Sequence, residues 1–436
     1  MGETSTRVTE PRKSVKIKRR LYGPYTVMLC VYAVFTAAAF LLDTPAEIWT
    51  GLIRILTSRS LLITDYIDLG GIGATLINAV IVGCFSMAVL IIGGTKPNGS
   101  TIMGLWLSVG FGLFGKNVFN MLPLTFGVWL YARVKKQPFI SVSLAALLCA
   151  TVSPIVSELS FLGLYGQPWD LMIGAAVGMF IGFIFTPLSA YLVKIHAGYN
   201  LYNMGFAGGL ISTFMVCLLR SSGIEVGTMS YWSGGNNLPL AILLYVLALA
   251  FIVMGFLFDG GPRGKLKKLR KIHGHTGRLV TDYYIMYGEA AYINMGLLCA
   301  LGTTLVLAIG GDLNGPTLGG IFTMMGFGAF GKHLKNVIPV LIGAVICTIW
   351  NAGDPTDPLN MLAILFSTCL APIAGQFGIV WGIVAGFLHV NVANFIGELN
   401  SGLNLYNNGF AGGFVTMLLV PLITTFKKRK IDGDIV

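Results

Sequence analysis

The sequence predicts an all-α integral membrane protein with about fourteen transmembrane segments, arranged as a seven-plus-seven inverted repeat. Hydrophobic residues make up 55% of the 436 residues and charged residues only 11%, whereas soluble domains carry about 25% charged residues. The mean hydropathy is +0.77. The 57 Gly and 17 Pro residues favour broken or closely packed helices over plain hydrophobic anchors. An ordinary soluble protein is therefore excluded.

The predicted spans are apolar segments that are long enough, or nearly so, to cross about 30 Å of hydrocarbon. In the first half they lie at 24–42, 71–92, 99–115, 117–132, 139–157, 170–193 and 200–219. In the second half they lie at 238–258, 289–310, 316–331, 336–350, 359–376, 378–397 and 402–425. Alternatively, some pairs of neighbouring segments are re-entrant and do not cross the membrane. This alternative does not change which side of the membrane the polar segments lie on.

Basic residues predict the orientation of the chain in the cell membrane. The net charge of +11 is concentrated at 7–20, 263–278 and 427–430, and basic clusters mark cytoplasmic segments. With a cytoplasmic N-terminus and an uncleaved first span, all but four of the 29 Lys and Arg residues lie inside. Aromatic residues are not interleaved with the basic clusters, so nucleic acid is not an expected partner.

The predicted organisation alternates two membrane repeats with polar segments. These are a basic cytoplasmic tail at 1–23, a first repeat at 24–220, an external loop at 221–237, a second repeat at 238–425 with a cytoplasmic basic loop at 259–288, and a basic cytoplasmic tail at 426–436.

Two sequence motifs recur in both repeats. GYNLYNMGFAGG at 198–209 returns as GLNLYNNGFAGG at 402–413, and the segment at 98–123 returns at 314–339 with its NG, GFG and FGK letters. Because each copy contains seven spans, an odd number, the second copy is expected to be inverted in the bilayer. Inverted repeats are typical of secondary transporters, with the solute site where the halves meet.

The third and tenth predicted spans are expected to be broken helices. Glycine recurs at 104, 110, 112 and 115, and each Gly costs a continuous helix roughly 1 kcal/mol relative to Ala. Asn and Thr stand at the start of both segments, with Ser in the first, and all three are N-capping residues. A helix N-terminus inside the membrane presents free N–H groups and partial positive charge, which favours an anionic or carbonyl-bearing solute.

Candidate site residues follow from these motifs, since amides in hydrocarbon need polar partners or a polar cavity. The predicted solute-binding residues are Asn98, Thr101, Asn200, Tyr202, Asn203, Asn314, Thr317, Asn404, Tyr406 and Asn407. The predicted gating or coupling residues are Lys116, Lys194, Lys332 and Glu398. The alternatives are that the glycines serve close helix packing and that the charged residues anchor helix ends in headgroups.

Catalytic and nucleotide-binding motifs are missing from the sequence, so no enzyme activity, cofactor or metal is expected. His273 and His275 lie in a basic loop, where a solvated role is favoured over metal binding. The seven Cys residues are scattered singly and predict no disulfide. The expected partners are membrane lipids and an unidentified small polar solute, and homo-oligomers are compatible with the sequence.

The twinned motifs resemble those of a prokaryotic family of uncharacterised multi-pass membrane proteins, over the whole chain. The seven-plus-seven plan is similar at fold level to nucleobase and anion transporters, which implies broken third and tenth helices facing a central site. A weaker resemblance to urea transporters rests on Ser100 to Gly112 and Gly198 to Gly209, although about two extra spans separate these segments here.

The function expected from the sequence is gradient-driven transport of a small polar or anionic solute. The alternatives are a urea- or amide-type channel, or a membrane protein without transport activity, either an assembly subunit or an intramembrane enzyme.

Overall fold

The computed structural model describes residues 12–426 except 228–229, 259–261, 280 and 352, with side chains described from Gly23 onwards. Most of the predicted N-terminal tail, part of the basic loop and nearly all of the predicted C-terminal tail therefore lie outside the described residues or side chains. Within the described ranges, all regular elements are α or 3₁₀ helices, apart from isolated β-bridges. The predicted all-α class is confirmed.

The two halves of the chain repeat one order of helices. The first half contains α1 (Arg12–Leu42), α2 (Pro45–Thr57), α3 (Tyr66–Gly70), α4 (Ile72–Ile92), α5 (Gly99–Phe111), α6 (Val118–Val134), α7 (Ser143–Leu148), α8 (Ser153–Phe161), α9 (Trp169–Ile195) and α10 (Asn203–Ser221). The second half contains α11 (Asn237–Leu257), α12 (Lys265–Ile272), α13 (Tyr283–Tyr287), α14 (Ala290–Ala308), α15 (Gly315–Phe327), α16 (Leu334–Trp350), α17 (Pro358–Phe366), α18 (Ala371–Phe377), α19 (Ile379–Asn400) and α20 (Asn407–Phe426).

Among the described residues, ten helical segments are long and apolar enough to cross a membrane, which supports the predicted multi-pass membrane protein. Four of the fourteen predicted spans are shorter helices. Of these, α6 and α16 contain 17 residues each, or about 25 Å of helix. The other two, α5 and α15, contain 13 residues each and extend only about 20 Å, so neither crosses the hydrocarbon alone.

Two predicted spans other than the third and tenth, those at 139–157 and 359–376, are interrupted. A 3₁₀ turn at Cys149–Val152 separates α7 from α8, and its counterpart at Ser367–Leu370 separates α17 from α18. Pro154 and Pro372 lie in the first turns of α8 and α18. Proline has no N–H to donate and suits a first helical turn, so a new helix begins at each of these prolines.

Helices α5 and α15 pack against each other in antiparallel directions. The start of α5 at Gly99 lies beside Ala329, just after the end of α15, and the start of α15 at Gly315 lies beside Leu113, just after the end of α5. Between these ends, an added Cβ on Gly110 would lie 3.2 Å from the Cα of Gly319. Small residues thus permit close backbone approach in this pair.

An aromatic row crosses the α5–α15 pair and ties it to the first helix of each half. Trp106 of α5 and Phe322 of α15 have ring centroids 5.1 Å apart. Phe35 of α1 stacks on Phe322 at 5.8 Å, and Phe251 of α11 packs edge-on against Trp106 at 5.6 Å. The four rings are buried, so they form a common core for both halves.

Helices α10 and α20 cross near their N-termini at two glycines of the repeated motif. An added Cβ on Gly409 would lie 2.6 Å from the carbonyl oxygen of Tyr202 and 2.9 Å from the Cα of Gly205. Beside this crossing, the rings of Tyr202 and Tyr406 stack with centroids 4.2 Å apart. The motif residues of the two halves therefore meet in the centre of the molecule.

We expect Gly409→Ala to lower the thermal unfolding temperature, because its methyl group meets backbone atoms that cannot rotate away. Overpacking of this kind costs about 1–3 kcal/mol. The matched control is Gly397→Ala in α19, whose added Cβ would have only Asn407 Nδ2 nearby, at 3.6 Å. The measurement is thermal unfolding of both detergent-purified variants, and equal melting temperatures would contradict the close crossing.

Candidate functional site

Each half of the molecule supplies a carboxylate to the N-terminus of the short helix in the other half. Asp65, in the first half, accepts a hydrogen bond from the backbone N–H of Gly315 at 3.0 Å. Asp282, in the second half, accepts one from the backbone N–H of Gly99 at 2.8 Å. The N-termini of α15 and α5 are thus each neutralised by a carboxylate of the protein itself.

Asp65 is the more enclosed of the two carboxylates, and its side chain is fully buried. Besides Gly315, it accepts bonds from the N–H of Ile67 at 2.9 Å and from the N–H and hydroxyl of Ser233 at 3.0 and 2.5 Å. Burial raises the pKa of Asp65 to about 6, while the surrounding donors oppose that rise. Burial also raises the pKa of Asp282.

Four of the predicted solute-binding residues form capping boxes at the starts of α5 and α15. The Asn98 side-chain oxygen accepts from the N–H of Thr101 at 2.8 Å, and the Thr101 hydroxyl accepts from the N–H of Asn98 at 2.9 Å. Asn314 and Thr317 repeat both bonds at 3.2 and 2.8 Å. Because α5 and α15 are antiparallel, these two pairs lie at opposite ends of the helix pair.

The remaining predicted asparagines lie around the α10–α20 crossing. The side-chain amide of Asn200 donates to the carbonyl of Gly409 at 2.8 Å, and that of Asn404 donates to the carbonyl of Gly205 at 3.0 Å. Asn203 pairs with His196 at 2.9 Å. Asn407 accepts a bond from Asn400, the equivalent of His196, at 2.7 Å.

Neither of the two cavities described below is lined by all of the predicted binding residues. The physical reason is that most of their amides and hydroxyls are already engaged in helix caps and in bonds between helices. All of the predicted asparagines except the half-buried Asn98 are buried. Their assignment as solute ligands stays a prediction.

Two buried lysines, Lys116 and Lys332, occupy equivalent positions in the repeat. Lys332 is fully buried, and its ammonium group donates to the hydroxyls of Tyr202 and Thr368, the latter at 2.7 Å. The same nitrogen lies 4.4 Å from the ring centre of Tyr202 and 4.9 Å from that of Phe327. Lys332 is therefore tightly held by oxygen atoms and aromatic rings.

Lys116, the equivalent lysine of the first half, is held more loosely. Its side chain is only 2% exposed. Its nitrogen makes two long contacts, each 3.4 Å, with the Ser108 hydroxyl and the Leu147 carbonyl. Hydrogen bonds from nitrogen usually span about 2.7–3.2 Å, so Lys116 retains donor capacity that Lys332 has used.

A cavity of about 340 Å³ reaches Lys116 from one end of the molecule. Of the predicted site residues, it is lined by Lys116, Tyr202, Asn203 and Tyr406. Its other walls are mostly apolar. They include Met103, Leu107, Phe111, Leu144, Leu147, Leu148, Phe327 and Phe330. Leu279 and Val193 also line it, beside the loop after α12 and the end of α9.

A second cavity, of about 780 Å³, lies beside the equivalent elements of the opposite half. Its lining includes Leu62, which corresponds to Leu279, and Gly397, which corresponds to Val193. Glu398 and Arg220 add charge to this cavity. Lys194, the repeat counterpart of Glu398, is exposed and adjoins Val193 in the chain.

The sequence analysis missed a pair of asparagines that fix the backbone before each lysine. The amide of Asn78 donates to the carbonyls of Gly112 at 2.7 Å and Lys116 at 3.0 Å. Asn294 does the same with Gly328 at 2.8 Å and Lys332 at 2.7 Å. The signal was available, because Ile-Asn recurs at the same spacing before the GFG motif in both halves.

No group of three or more His, Cys, Asp or Glu residues suited to a metal ion occurs among the described residues. His275 and His333 lie together near the basic loop, where the ring of His333 bonds to the backbone carbonyl of His275 at 2.9 Å. The absence of a metal site remains an expectation from the sequence.

The twinned elements extend over the part of the chain that matches a known family. A family model described as a protein of unknown function (DUF1576) matches residues 44–221 and 262–425. The chain belongs to the DUF1576 family. This confirms the predicted membership of an uncharacterised family, whose description names no activity. The match includes both lysines and both copies of the glycine motifs. No curated protein and no solved structure matches the chain.

We expect Asp65→Asn to destabilise this DUF1576 protein, because the amide nitrogen turns a donor toward N–H groups that need an acceptor. A buried donor left without its partner costs about 1–3 kcal/mol. Glu225→Gln, at an exposed position, is the matched control for removal of one negative charge. Thermal unfolding near pH 7 measures both, and an Asp65→Asn protein as stable as the control would contradict the proposed role of the carboxylate.

Proposed function

We propose that this protein is a gradient-driven transporter of a small polar or anionic solute in the cell membrane. The observation that carries the proposal is a pair of cavities that are lined in part by equivalent residues of the two halves. These residues are Leu279 and Val193 in one and Leu62 and Gly397 in the other. A site that is reached from either membrane face through related entrances is the requirement for alternating access.

The two carboxylates support a placement of the cavities at opposite ends of the α5–α15 pair. Leu279 precedes Asp282, which binds the start of α5, whereas Leu62 precedes Asp65, which binds the start of α15. Since α5 and α15 are antiparallel and contain 13 residues each, their starts lie about 20 Å apart. This separation supports cavities that face the two sides of the bilayer.

The charge distribution supports a cytoplasmic opening for the first cavity. Lys96, Lys194 and Arg278 lie in segments near its mouth, whereas Asp357 and Glu398 line the second cavity beside Arg220. Positive residues concentrate on the cytoplasmic side of membrane proteins. In this orientation both termini are cytoplasmic, and the two copies form the proposed seven-plus-seven inverted repeat.

The buried lysines support a cycle between two related states. Lys332 is closed off by Tyr202 and Thr368, while Lys116 lines the open cavity. In the opposite state Lys116 would be closed off and Lys332 would line an open cavity. The region around the two lysines would then be reached from the second cavity. The stacked rings of Tyr202 and Tyr406 lie at the α10–α20 crossing. In this proposal, the pair remains in place in both states.

Cysteine accessibility tests this proposal without knowledge of the solute. In a background where the exposed Cys30, Cys84 and Cys217 are replaced by Ser, single cysteines are introduced as Ser100→Cys, Leu107→Cys and Gly397→Cys. A small anionic methanethiosulfonate that does not cross membranes is applied to right-side-out and inside-out vesicles. We expect position 100 to react only from the cytoplasmic face and position 397 only from the external face.

The deep position decides whether the site alternates. Leu107→Cys lies in the wall of the first cavity, and a transporter is expected to expose it to reagent from both faces. Glu225→Cys on the predicted external loop is the orientation control. Reaction of Leu107→Cys from one face only would contradict alternating access, and reaction of positions 100 and 397 from the same face would contradict the inverted arrangement.

A further inference from the structure

The first cavity has the ammonium group of Lys116 as a positive charge and otherwise mostly apolar walls. This combination indicates the chemical class of its ligand. Resting on the transport function proposed above, we propose that the solute is a monoanion with an apolar body, such as an aromatic carboxylate. Its anionic group binds the ammonium group of Lys116, and its body occupies the apolar part of the cavity.

Lys116 has no carboxylate partner among the described residues. The ion pairs within the described ranges join Arg59 to Glu158 and Lys265 to Glu289. A charge removed from water is costly unless an opposite charge and hydrogen bonds compensate. The long contacts of Lys116 with Ser108 and Leu147 supply little of that compensation, whereas an anionic ligand in the adjoining cavity supplies the missing opposite charge.

The comparison with Lys332 explains why the anion site belongs to Lys116. The ammonium group of Lys332 donates hydrogen bonds to Tyr202 and Thr368 and packs against two aromatic rings. Lys332 is not part of the cavity wall. Lys116 is part of that wall. Of the two equivalent lysines, the one with unused donor capacity is therefore the one that a ligand can reach.

The cavity walls restrict the rest of the ligand. A volume of about 340 Å³ lies within the range of small-molecule sites, which combine apolar walls with a few polar groups. Phe111, Phe327 and Tyr406 present aromatic rings to this space, and such rings favour stacked or edge-on contact with another ring. A strongly hydrated ion such as phosphate would lose its water here without gaining enough hydrogen bonds, so an apolar monoanion fits better.

The test is calorimetric binding of benzoate, benzamide and inorganic phosphate to the detergent-purified full chain. Benzoate and benzamide share one ring and differ in charge, while phosphate has charge without an apolar body. We expect benzoate to bind more tightly than either of the other two. Lys116→Met is expected to weaken benzoate binding on the order of a hundredfold, which is the size of effect typical of a truncated buried charge pair.

Two variants separate ligand contact from general damage. Lys135→Met removes an exposed charge outside the cavity wall and is expected to leave benzoate affinity unchanged. Leu144→Trp keeps Lys116 but fills part of the cavity, and it is expected to weaken benzoate binding. This second variant keeps the inference testable if Lys116→Met does not fold.

The outcomes distinguish this inference from the transport proposal. Equal binding of benzamide, tighter binding of phosphate, or unchanged benzoate affinity in folded Lys116→Met or Leu144→Trp would overturn the apolar monoanion. Lack of benzoate binding would overturn it as well, while two-sided labelling of Leu107→Cys would still support transport. One-sided labelling of Leu107→Cys would defeat the transport proposal whatever the benzoate result.

Discussion

The arrangement of the molecule depends on hydrogen-bond partners for the N-termini of two short helices, α5 and α15, which begin inside an apolar bundle. A helix leaves its first N–H groups without intrahelical partners, and in hydrocarbon each unsatisfied group costs several kcal/mol. The caps at Asn98 and Asn314 satisfy part of this need locally. Asp282 and Asp65 satisfy another part across the halves. Neither half supplies all the hydrogen-bond acceptors that the N-terminus of its own short helix needs, so each half stabilises the short helix of the other.

The same exchange fixes the direction of packing between α5 and α15. Asp65 contacts the backbone near Phe114, just beyond the end of α5, as well as the start of α15. Asp282 makes the equivalent pair of contacts with Phe330 and Gly99. Each aspartate therefore joins the end of one short helix, through its backbone, to the beginning of the other, through its carboxylate, which holds only for an antiparallel pair. The buried row of Trp106 and Phe322 fills the space between these two junctions.

Much of this architecture could be predicted from the sequence, but the partners of the polar groups could not. Apolar segments and the duplication indicated the helices, and Asn-Gly-Ser-Thr indicated the cap of α5, because a capping amide bonds only three residues away. The partner of Asp65 is 250 residues away, and no local pattern specifies it. At Asn98 and Asn314 the cap engages the side-chain oxygen, a structural role that competes with the predicted role as solute ligands.

Departures from the internal repeat are as informative as the repeat itself. Thr368, a partner of Lys332, has Ala150 as its equivalent in the first half, and Ser108 near Lys116 is replaced by Met324 in the second. The two lysines consequently have different hydroxyl groups within reach. In the transport cycle proposed above, an exactly symmetric protein would have no preference between its two related states, whereas these substitutions would favour the closed position of Lys332 and leave Lys116 loosely held.

The distribution of charge along α5 explains why a solute anion would bind near Lys116 and not at the start of the helix. A helix carries partial positive charge at its N-terminus and partial negative charge at its C-terminus. Asp282 already occupies the positive end. Lys116 follows the negative end, where Asn78 takes up the carbonyls of Gly112 and Lys116. The ammonium group of Lys116 itself makes only long contacts with Ser108 and Leu147, so an anion in the cavity supplies the opposite charge that Lys116 lacks.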